Sequence, residues 1–328
     1  MSAVRKGHAI ASQEAGITLG DLGEFGLIAA ITGPMAAAPG AVVGIGDDAA
    51  VLRVADARVV MTTDLLVEGR HFRTDWSGPA DIGRKAAARN LADIAAMGAV
   101  PEALLVGFAA PPGLAVAWAR ELASGIADEA ERAGAHVVGG DVSGASEIVV
   151  AVSAFGTMAG NDPVTRSGAR PSDLVAVTGR LGHAAAGLAL LQAGLTEPAD
   201  AVAAHRRPRP PYDAGPEAAA LGATAMIDVS DGLLADLGHI AAGSGVRIDV
   251  RTALLKPGPP LLAAAEVLDR APLPWVLAGG EDHALAATFP AGTALPSRWA
   301  AIGNVREGSG VTVDETNYEG EFGWQHFR

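Results

Sequence analysis

Aspartates recur in this chain directly after short runs of β-branched and apolar residues. Val42-Val43-Gly44-Ile45 leads into Gly46-Asp47-Asp48, and Val59-Val60-Met61 leads into Thr62-Thr63-Asp64. Val137-Val138 leads into Gly139-Gly140-Asp141, and Met226-Ile227 into Asp228-Val229-Ser230-Asp231-Gly232. A fifth acidic position, Asp93, lies in a helical pattern. In open α/β architectures ligands bind at the carboxyl ends of strands. Carboxylates gathered at one such edge repel each other unless divalent cations sit between them, and hard oxygen donors select Mg2+ or Ca2+. The pattern points to an α/β chain whose sheet edge uses Mg2+ to hold a polyphosphate.

At 328 residues the chain exceeds the usual single-domain size, so two domains are expected. Residues 1–22 are expected to form a flexible tail. The turn-rich segment from Gly160-Asn161-Asp162-Pro163 to Asp173 then divides a domain over 23–160 from a second over 161–328. Hydrophobic residues make up 49% and charged residues 19%, which suits a buried core. The net charge of −13 argues against nucleic acid as a partner, and it obliges an anionic ligand to approach through metal ions or local arginines. The absence of cysteine excludes disulfides, thiolate metal sites and a cysteine nucleophile, and is compatible with the expected cytoplasmic location. The longest uncharged stretch, Phe25–Gly46, is interrupted by Pro34, Pro39 and glycines, so no membrane span is expected. Nor does an apolar core follow Arg5 and Lys6 to make a signal peptide.

Hydrophobic periodicity predicts helices over 24–31, 81–97, 114–133, 182–193 and 233–242. It predicts strands over 42–45, 50–53, 58–61, 103–109, 137–138, 148–158, 174–178, 247–250 and 275–278, the last entering Gly279-Gly280-Glu281-Asp282. Residues 205–211 are expected to be a basic, proline-rich loop. Strands and helices mix in each half, which argues for α/β or α+β layers.

Taken singly, each acidic stretch has an ordinary explanation. Ser230 and Asp231 can cap a helix. Asp47-Asp48 can be a turn, and so can Gly139-Gly140-Asp141, although its glycines would also let backbone approach a phosphate. Thr62-Thr63-Asp64 can close a strand, and Asp93 can face solvent. Five together are hard to assign to turns. The three lysines, Lys6, Lys85 and Lys256, form no phosphate-binding Gly-Lys-Ser/Thr loop. Phosphate charge must then be neutralised mainly by metal ions.

These stretches together resemble the thiamine-monophosphate kinases, of the superfamily that includes aminoimidazole ribonucleotide synthetase. The likeness runs from Gly23-Glu24-Phe25 to Trp324. It is carried by Gly44–Ala49, by Thr62–Phe72 with Glu68-Gly69-Arg70-His71-Phe72 at its end, and by Asn90–Ala99. Gly139-Gly140-Asp141, Thr165-Arg166-Ser167-Gly168-Ala169, Ile227–Leu233 and Gly279-Gly280-Glu281-Asp282 complete it. The resemblance implies a two-domain aminoimidazole ribonucleotide synthetase-like fold and transfer of the ATP γ-phosphoryl group to thiamine monophosphate. It implies several Mg2+ ions on Asp48, Thr62, Thr63, Asp64, Asp93, Asp141, Asp228 and Asp231, with Asp47 as an extra contact; Asp64, Asp93, Asp228 and Asp231 would carry the catalytic role. Gly140, Asp141, Arg166 and Ser230 carry over as nucleotide contacts, and His71, Glu281 and Trp324 as contacts to thiamine monophosphate. It further implies a homodimer whose N-terminal sheets pair into a barrel-like interface. Residues 23–160 would bind ATP and Mg2+ and dimerise, and 161–328 would complete the active-site cleft. His283 stands where the family commonly has tyrosine, and Ala284 where it commonly has glutamate. The alternatives are another ATP-dependent synthetase of the superfamily, which activates an amide or formyl oxygen, and a non-catalytic nucleotide- or metal-binding protein.

Overall fold

A computed structural model describes residues 17–35, 38, 40–45, 49–54 and 56–324. Asp47 and Asp48 lie outside these residues. The chain clusters into two compact units. The first comprises Met1–Val54, Met61–Asn90 and Glu102–Phe155, and the second Ala55–Val60, Leu91–Pro101 and Gly156–Arg328.

The first helix, α1, covers Leu19–Thr32, with a break at Gly23, where φ is 65°. The part after the break matches the helix expected over 24–31. The turn before it falls in the stretch expected to be a flexible tail. Thr18 and Asp21 explain that turn by exchanging side-chain and backbone hydrogen bonds in a capping box. Leu19 is also buried, and Ile17 accepts a bond from the Val116 N–H.

A two-stranded ribbon of β1 (Ala41–Val43) and β2 (Val51–Leu52) follows. The main sheet of the first unit has the order β3-β6-β4-β5. Its strands are β3 (Val59–Val67), β4 (Val100–Ala110), β5 (His136–Gly144) and β6 (Val149–Thr157). Helices α2 (Pro79–Ala96) and α3 (Val116–Arg132) join them. A side chain at Gly83 would strike the Leu122 carbonyl, and one at Gly125 the Ala80 carbonyl, so the two helices approach through their glycines.

Two expectations are corrected here. Thr62-Thr63-Asp64 does not end a strand but lies in the middle of β3, and Gly139-Gly140-Asp141 lies inside β5. The polar residues looked like punctuation, but the ladders continue through them. Gly140 and Asp141, for example, stand opposite Val106 and Gly107 in the parallel β4–β5 pair.

The second unit holds a sheet of order β13-β12-β9-β11-β7-β10-β8. Its strands are β7 (Leu174–Thr178), β8 (Ala225–Val229), β9 (Arg247–Val250), β10 (Ala284–Phe289), β11 (Ala300–Arg306), β12 (Gly310–Val313) and β13 (Thr316–Asn317). Every pairing is antiparallel except β9 with β12. β8 and β10 are buried along their whole lengths. The helices are α4 (His183–Gln192), α5 (Ala199–Arg206), α6 (Ala214–Ala220), α7 (Leu233–Ser244), α8 (Pro259–Leu268) and α9 (Leu273–Ala278). The strand expected over 275–278 is therefore helix α9. An apolar run of four cannot be typed by periodicity, and prolines at the start of this run preset a helical φ. The expected basic loop also begins late, because His205 and Arg206 still belong to α5 and His205 is buried.

Candidate active site

β8 and β10 run antiparallel with Val229 opposite Ala284, so the end of one lies beside the start of the other. That register brings the segment after β8 against the segment before β10. The Glu281 N–H donates to the Ser230 carbonyl at 2.7 Å, and the His283 N–H to the Val229 carbonyl at 2.9 Å. Gly280 is obligatory at this crossing, since a Cβ there would run into the Ser230 carbonyl. From the other side, the Trp324 N–H donates to the Asp231 carbonyl at 2.9 Å. Trp324 itself is 63% exposed. Ser230, Asp231, Glu281 and Trp324 thus form one backbone-bonded cluster within the second unit.

Asp228, one residue before the end of β8, is a buried carboxylate with its Oδ2 3.0 Å from the His283 Nδ1. Glu281 places its Oε2 3.5 Å from the buried His205 Nδ1. Glu281 and His283 both have positive φ, 67° and 52°, in a loop that their backbone bonds hold in place. Capping by Ser230 or Asp231, the ordinary explanation of this stretch, is not what opens α7. Gly232 occupies the cap position, and Asp236, one turn into the helix, accepts the N–H groups of Asp231 at 3.1 Å and Gly232 at 3.0 Å. Burial first, and then the charge of Asp228, push the Asp236 carboxyl up to about 7 against those two bonds.

The first unit places its candidates differently. On β3, Thr62 and Asp64 share one face and Thr63 takes the other. Asp64 Oδ2 accepts from Arg89 Nε on α2 at 3.2 Å. The Thr63 hydroxyl donates to the Val152 carbonyl at 3.1 Å and receives Ser153 Oγ at 3.0 Å. His71 closes the turn after β3, where its Nδ1 accepts the Val67 N–H at 3.1 Å, which leaves the ring proton on Nε2. The buried Lys85 Nζ holds the His71 carbonyl at 3.1 Å. Gly140 has a structural reason to be glycine, because a Cβ would strike the Val106 carbonyl on β4. Asp141 is exposed beside it.

Asp93 lies on α2 in the part that belongs to the second unit, half-buried between buried neighbours Ala92 and Ile94. Arg166 is not brought to the Ser230 cluster. Its carbonyl faces Ser244 Oγ at 3.4 Å, at the far end of α7. Eleven helical steps from Leu233 to Ser244 separate the two places by roughly 17 Å.

Sequence reasoning did not single out Arg89, His205 or Asp236. Arg89 stands one helical turn before Asp93, and Asp236 one turn after Gly232, so helical spacing from a flagged residue was the available signal. His205 carried no such signal.

No three His, Cys, Asp or Glu side chains converge to hold a metal ion among the described residues. The donors at hand are nevertheless the hard oxygens Mg2+ takes. Mg2+ commonly binds through one or two carboxylates, several waters and substrate phosphates rather than in an all-protein cage. Asp228 and Asp231 are close enough to Asp236 that both raise its carboxyl.

Comparison with known proteins adds four findings. Residues 46–158 match the family model for the N-terminal domain of AIR synthase related proteins. The thiamine-monophosphate kinase of Mycobacterium tuberculosis is 48% identical over 324 residues, covering 98% of this chain and 96% of that protein. The crystal structure of thiamine-monophosphate kinase from Stenotrophomonas maltophilia superposes with a TM-score of 0.77 at 33% identity, covering 89% of this chain and 95% of that one. The solved structure of AaThiL complexed with AMPPCP and TMP gives a TM-score of 0.78 at 34% identity, covering 95% of this chain and 99% of that one.

Proposed function

The chain belongs to the thiamine-monophosphate kinase family, and we propose that it transfers the γ-phosphoryl group of ATP to thiamine monophosphate, giving ADP and thiamine diphosphate. The observation that carries this reading is the β8–β10 edge, where Asp228, Ser230, Asp231, Glu281 and Trp324 come together within one unit.

The chemistry suits such a site. The acceptor is itself a phosphate, ionised at neutral pH, so no strong general base is required. Phosphoryl transfer rests on positioning and charge neutralisation. Mg2+, when bound, supplies the positive charge that lets two anionic phosphates approach. Asp228 and Asp231 would hold it from the second unit, together with Asp93, and Asp64, Asp141 and Thr62 from the first, with Asp47, Asp48 and Thr63 as further ligands. Ser230 and the N-terminal end of α7 face a phosphate with a hydroxyl and a helix dipole. Arg166 adds a cation at another part of the nucleotide, and Gly140 and Asp141 contact it from β5. Glu281 would bond the aminopyrimidine, His71 Nε2 would donate to the substrate phosphate, and Trp324 would stack on a thiamine ring.

In this proposal residues 23–160 bind ATP and Mg2+ and dimerise, and 161–328 complete the active site. The exposed face of β3, with Val59, Met61 and Leu65, is the surface on which two copies pair. No described helix is long and apolar enough to cross a membrane, and the protein acts in the cytoplasm.

The test is direct. With γ-labelled ATP and Mg2+ alone, the protein stays unlabelled. Adding thiamine monophosphate moves the label into thiamine diphosphate, and chelation stops the transfer. A labelled side chain able to pass its phosphate on would refute direct transfer. ATP turnover without thiamine diphosphate formation would favour an amide- or formyl-activating synthetase.

A further inference from the structure

The second unit contains a cavity of about 580 Å3 between β7, β11 and the starts of α4 and α8. This is the size range of small-molecule sites. Its wall is apolar, with Val177, Leu255, Pro259 and Ile302 among its residues. Arg180 and Lys256 line it as exposed cations. A third cation, Arg298, is engaged elsewhere, bonded to Asp213 at 2.6 Å and to Glu217 at 2.9 Å. No aspartate or glutamate is among the lining residues, in a chain of net charge −13.

One polar side chain in the lining is left incomplete. His183 is only 6% exposed, and its Nδ1 has no hydrogen-bond partner among the described residues. A Cβ at Gly258 would lie 3.0 Å from its Nε2, so glycine there leaves the ring its room. Burial, and then the charge of Arg180, lower its pKa to about 4, so it is neutral at pH 7 and keeps one donor and one acceptor. A buried polar atom without a partner costs stability unless something completes it.

Neither a purely inorganic anion nor a purely apolar molecule matches this lining. The first would leave the apolar wall wet, and the second would desolvate two cations without compensation. We infer that the cavity binds a small organic anion, its phosphate, sulfonate or carboxylate head between Arg180 and Lys256 and its ring or chain against the apolar wall. The site is separate from the reacting one, because Ser230, Asp231, Glu281 and Trp324 take no part in the lining.

The experiment titrates 2-naphthyl phosphate into the full chain with Mg2+, a non-hydrolysable ATP analogue and thiamine monophosphate all saturating. Calorimetry should show one site. The Arg180→Ala/Lys256→Ala double variant should bind at least tenfold more weakly, with kinase turnover in the absence of the probe unchanged. Uncharged 2-naphthol and inorganic phosphate should each bind at least tenfold more weakly than 2-naphthyl phosphate. Both substituted residues are exposed, so the variant should fold. The inference is overturned if the ATP analogue and thiamine monophosphate displace the probe, if the double variant binds as well as the parent, or if 2-naphthol binds as tightly as the phosphate. Failure of the kinase assay would leave this titration standing.

Discussion

β3 and β8 each carry an aspartate proposed to hold Mg2+, yet they are built in opposite ways. β8 is buried at all five positions. It is the edge strand of its sheet, but the Met226 N–H donates to the Thr165 carbonyl, so a neighbouring segment covers that edge. Asp228 is consequently fixed from its strand end and from the His283 imidazole. β3 alternates, and Val59, Met61 and Leu65 are 46%, 68% and 53% exposed. Asp64 is steadied instead by a single arginine from α2. One strand is finished within its own unit. The other leaves Val59, Met61 and Leu65 exposed on one face and carries its aspartate on the reverse side.

The largest effects should come from the two aspartates themselves. Asp64→Asn and Asp228→Asn should each lower kcat at least a thousandfold, about 4 kcal/mol of transition-state stabilisation. A neutral amide is a poor Mg2+ ligand. Thermal unfolding should change little, because an amide oxygen can still meet Arg89 or His283. Unchanged kcat at saturating ATP and Mg2+ for either variant would remove that aspartate from the site.

The two strands should part company when a charge is placed on each. Ile227→Asp puts an unpaired carboxylate at a position 2% exposed, and should cost roughly 4 kcal/mol or more, enough to leave little folded protein. Met61→Asp on the open face of β3 should cost the isolated chain under about 1 kcal/mol. Its effect should appear in sedimentation, as dissociation of a dimer into single chains. Equal destabilisation by both, or an undisturbed assembly in Met61→Asp, would break the contrast and the proposed pairing face with it.

That contrast also shows what the sequence could disclose. Alternating or continuous apolar runs marked the long helices and most of the first unit's strands, because burial on one face leaves a period. The acidic stretches were visible because a carboxylate after an apolar strand is unusual. Their placement within strands was not visible, since Thr62 and Gly140 look like breakers until a neighbouring strand is known. The meeting of Ser230 with Glu281 was out of reach for the same reason, as it depends on the antiparallel register of β8 and β10. Of the residues that complete the cluster, Asp236 lies one helical turn from a flagged residue and so left a local signal, whereas His205 acts through a long-range contact and left none.

Titration should be concentrated on the β8 side. Burial raises the Asp282 carboxyl to about 7, against bonds that include one from the Ala184 N–H. A raised folded-state pKa gives stability that is complete below the ordinary value of 3.8 and is lost as pH climbs through about 7. His183 runs the other way, since its lowered pKa gives stability that is complete above 6.5 and is lost as pH falls through about 4. Asp236, also raised to about 7, adds a second slope of the Asp282 sign, so between pH 4 and 6.5 two slopes oppose that of His183. Asp282→Asn keeps an acceptor for Ala184 but removes one slope. Because Asp236 keeps its slope, the variant's stability should change little as pH drops from 6.5 to 4, where the parent's rises, and it should exceed the parent's above pH 7 by up to roughly 4 kcal/mol. Denaturant unfolding at pH 5 and pH 8 measures both. Parallel pH profiles for parent and variant would mean that Asp282 does not titrate in this window.

The smallest effect should lie at Trp324, where the open side of the site is made. Its backbone is tied to Asp231 while its indole stays mostly in solvent, so removing the ring should leave the fold intact. Lost aromatic stacking is worth about 1 kcal/mol, which corresponds to a roughly fivefold rise in the KM for thiamine monophosphate. The KM for ATP should move far less, because the triphosphate is held by charge rather than by a ring at this position. Trp324→Phe should recover most of the difference, since it restores an aromatic face without the indole N–H. If both KM values rise together, the indole shapes the whole edge rather than one ligand's place on it. If only the unfolding temperature moves, Trp324 is a cover for the buried β8 side and belongs to packing instead of recognition.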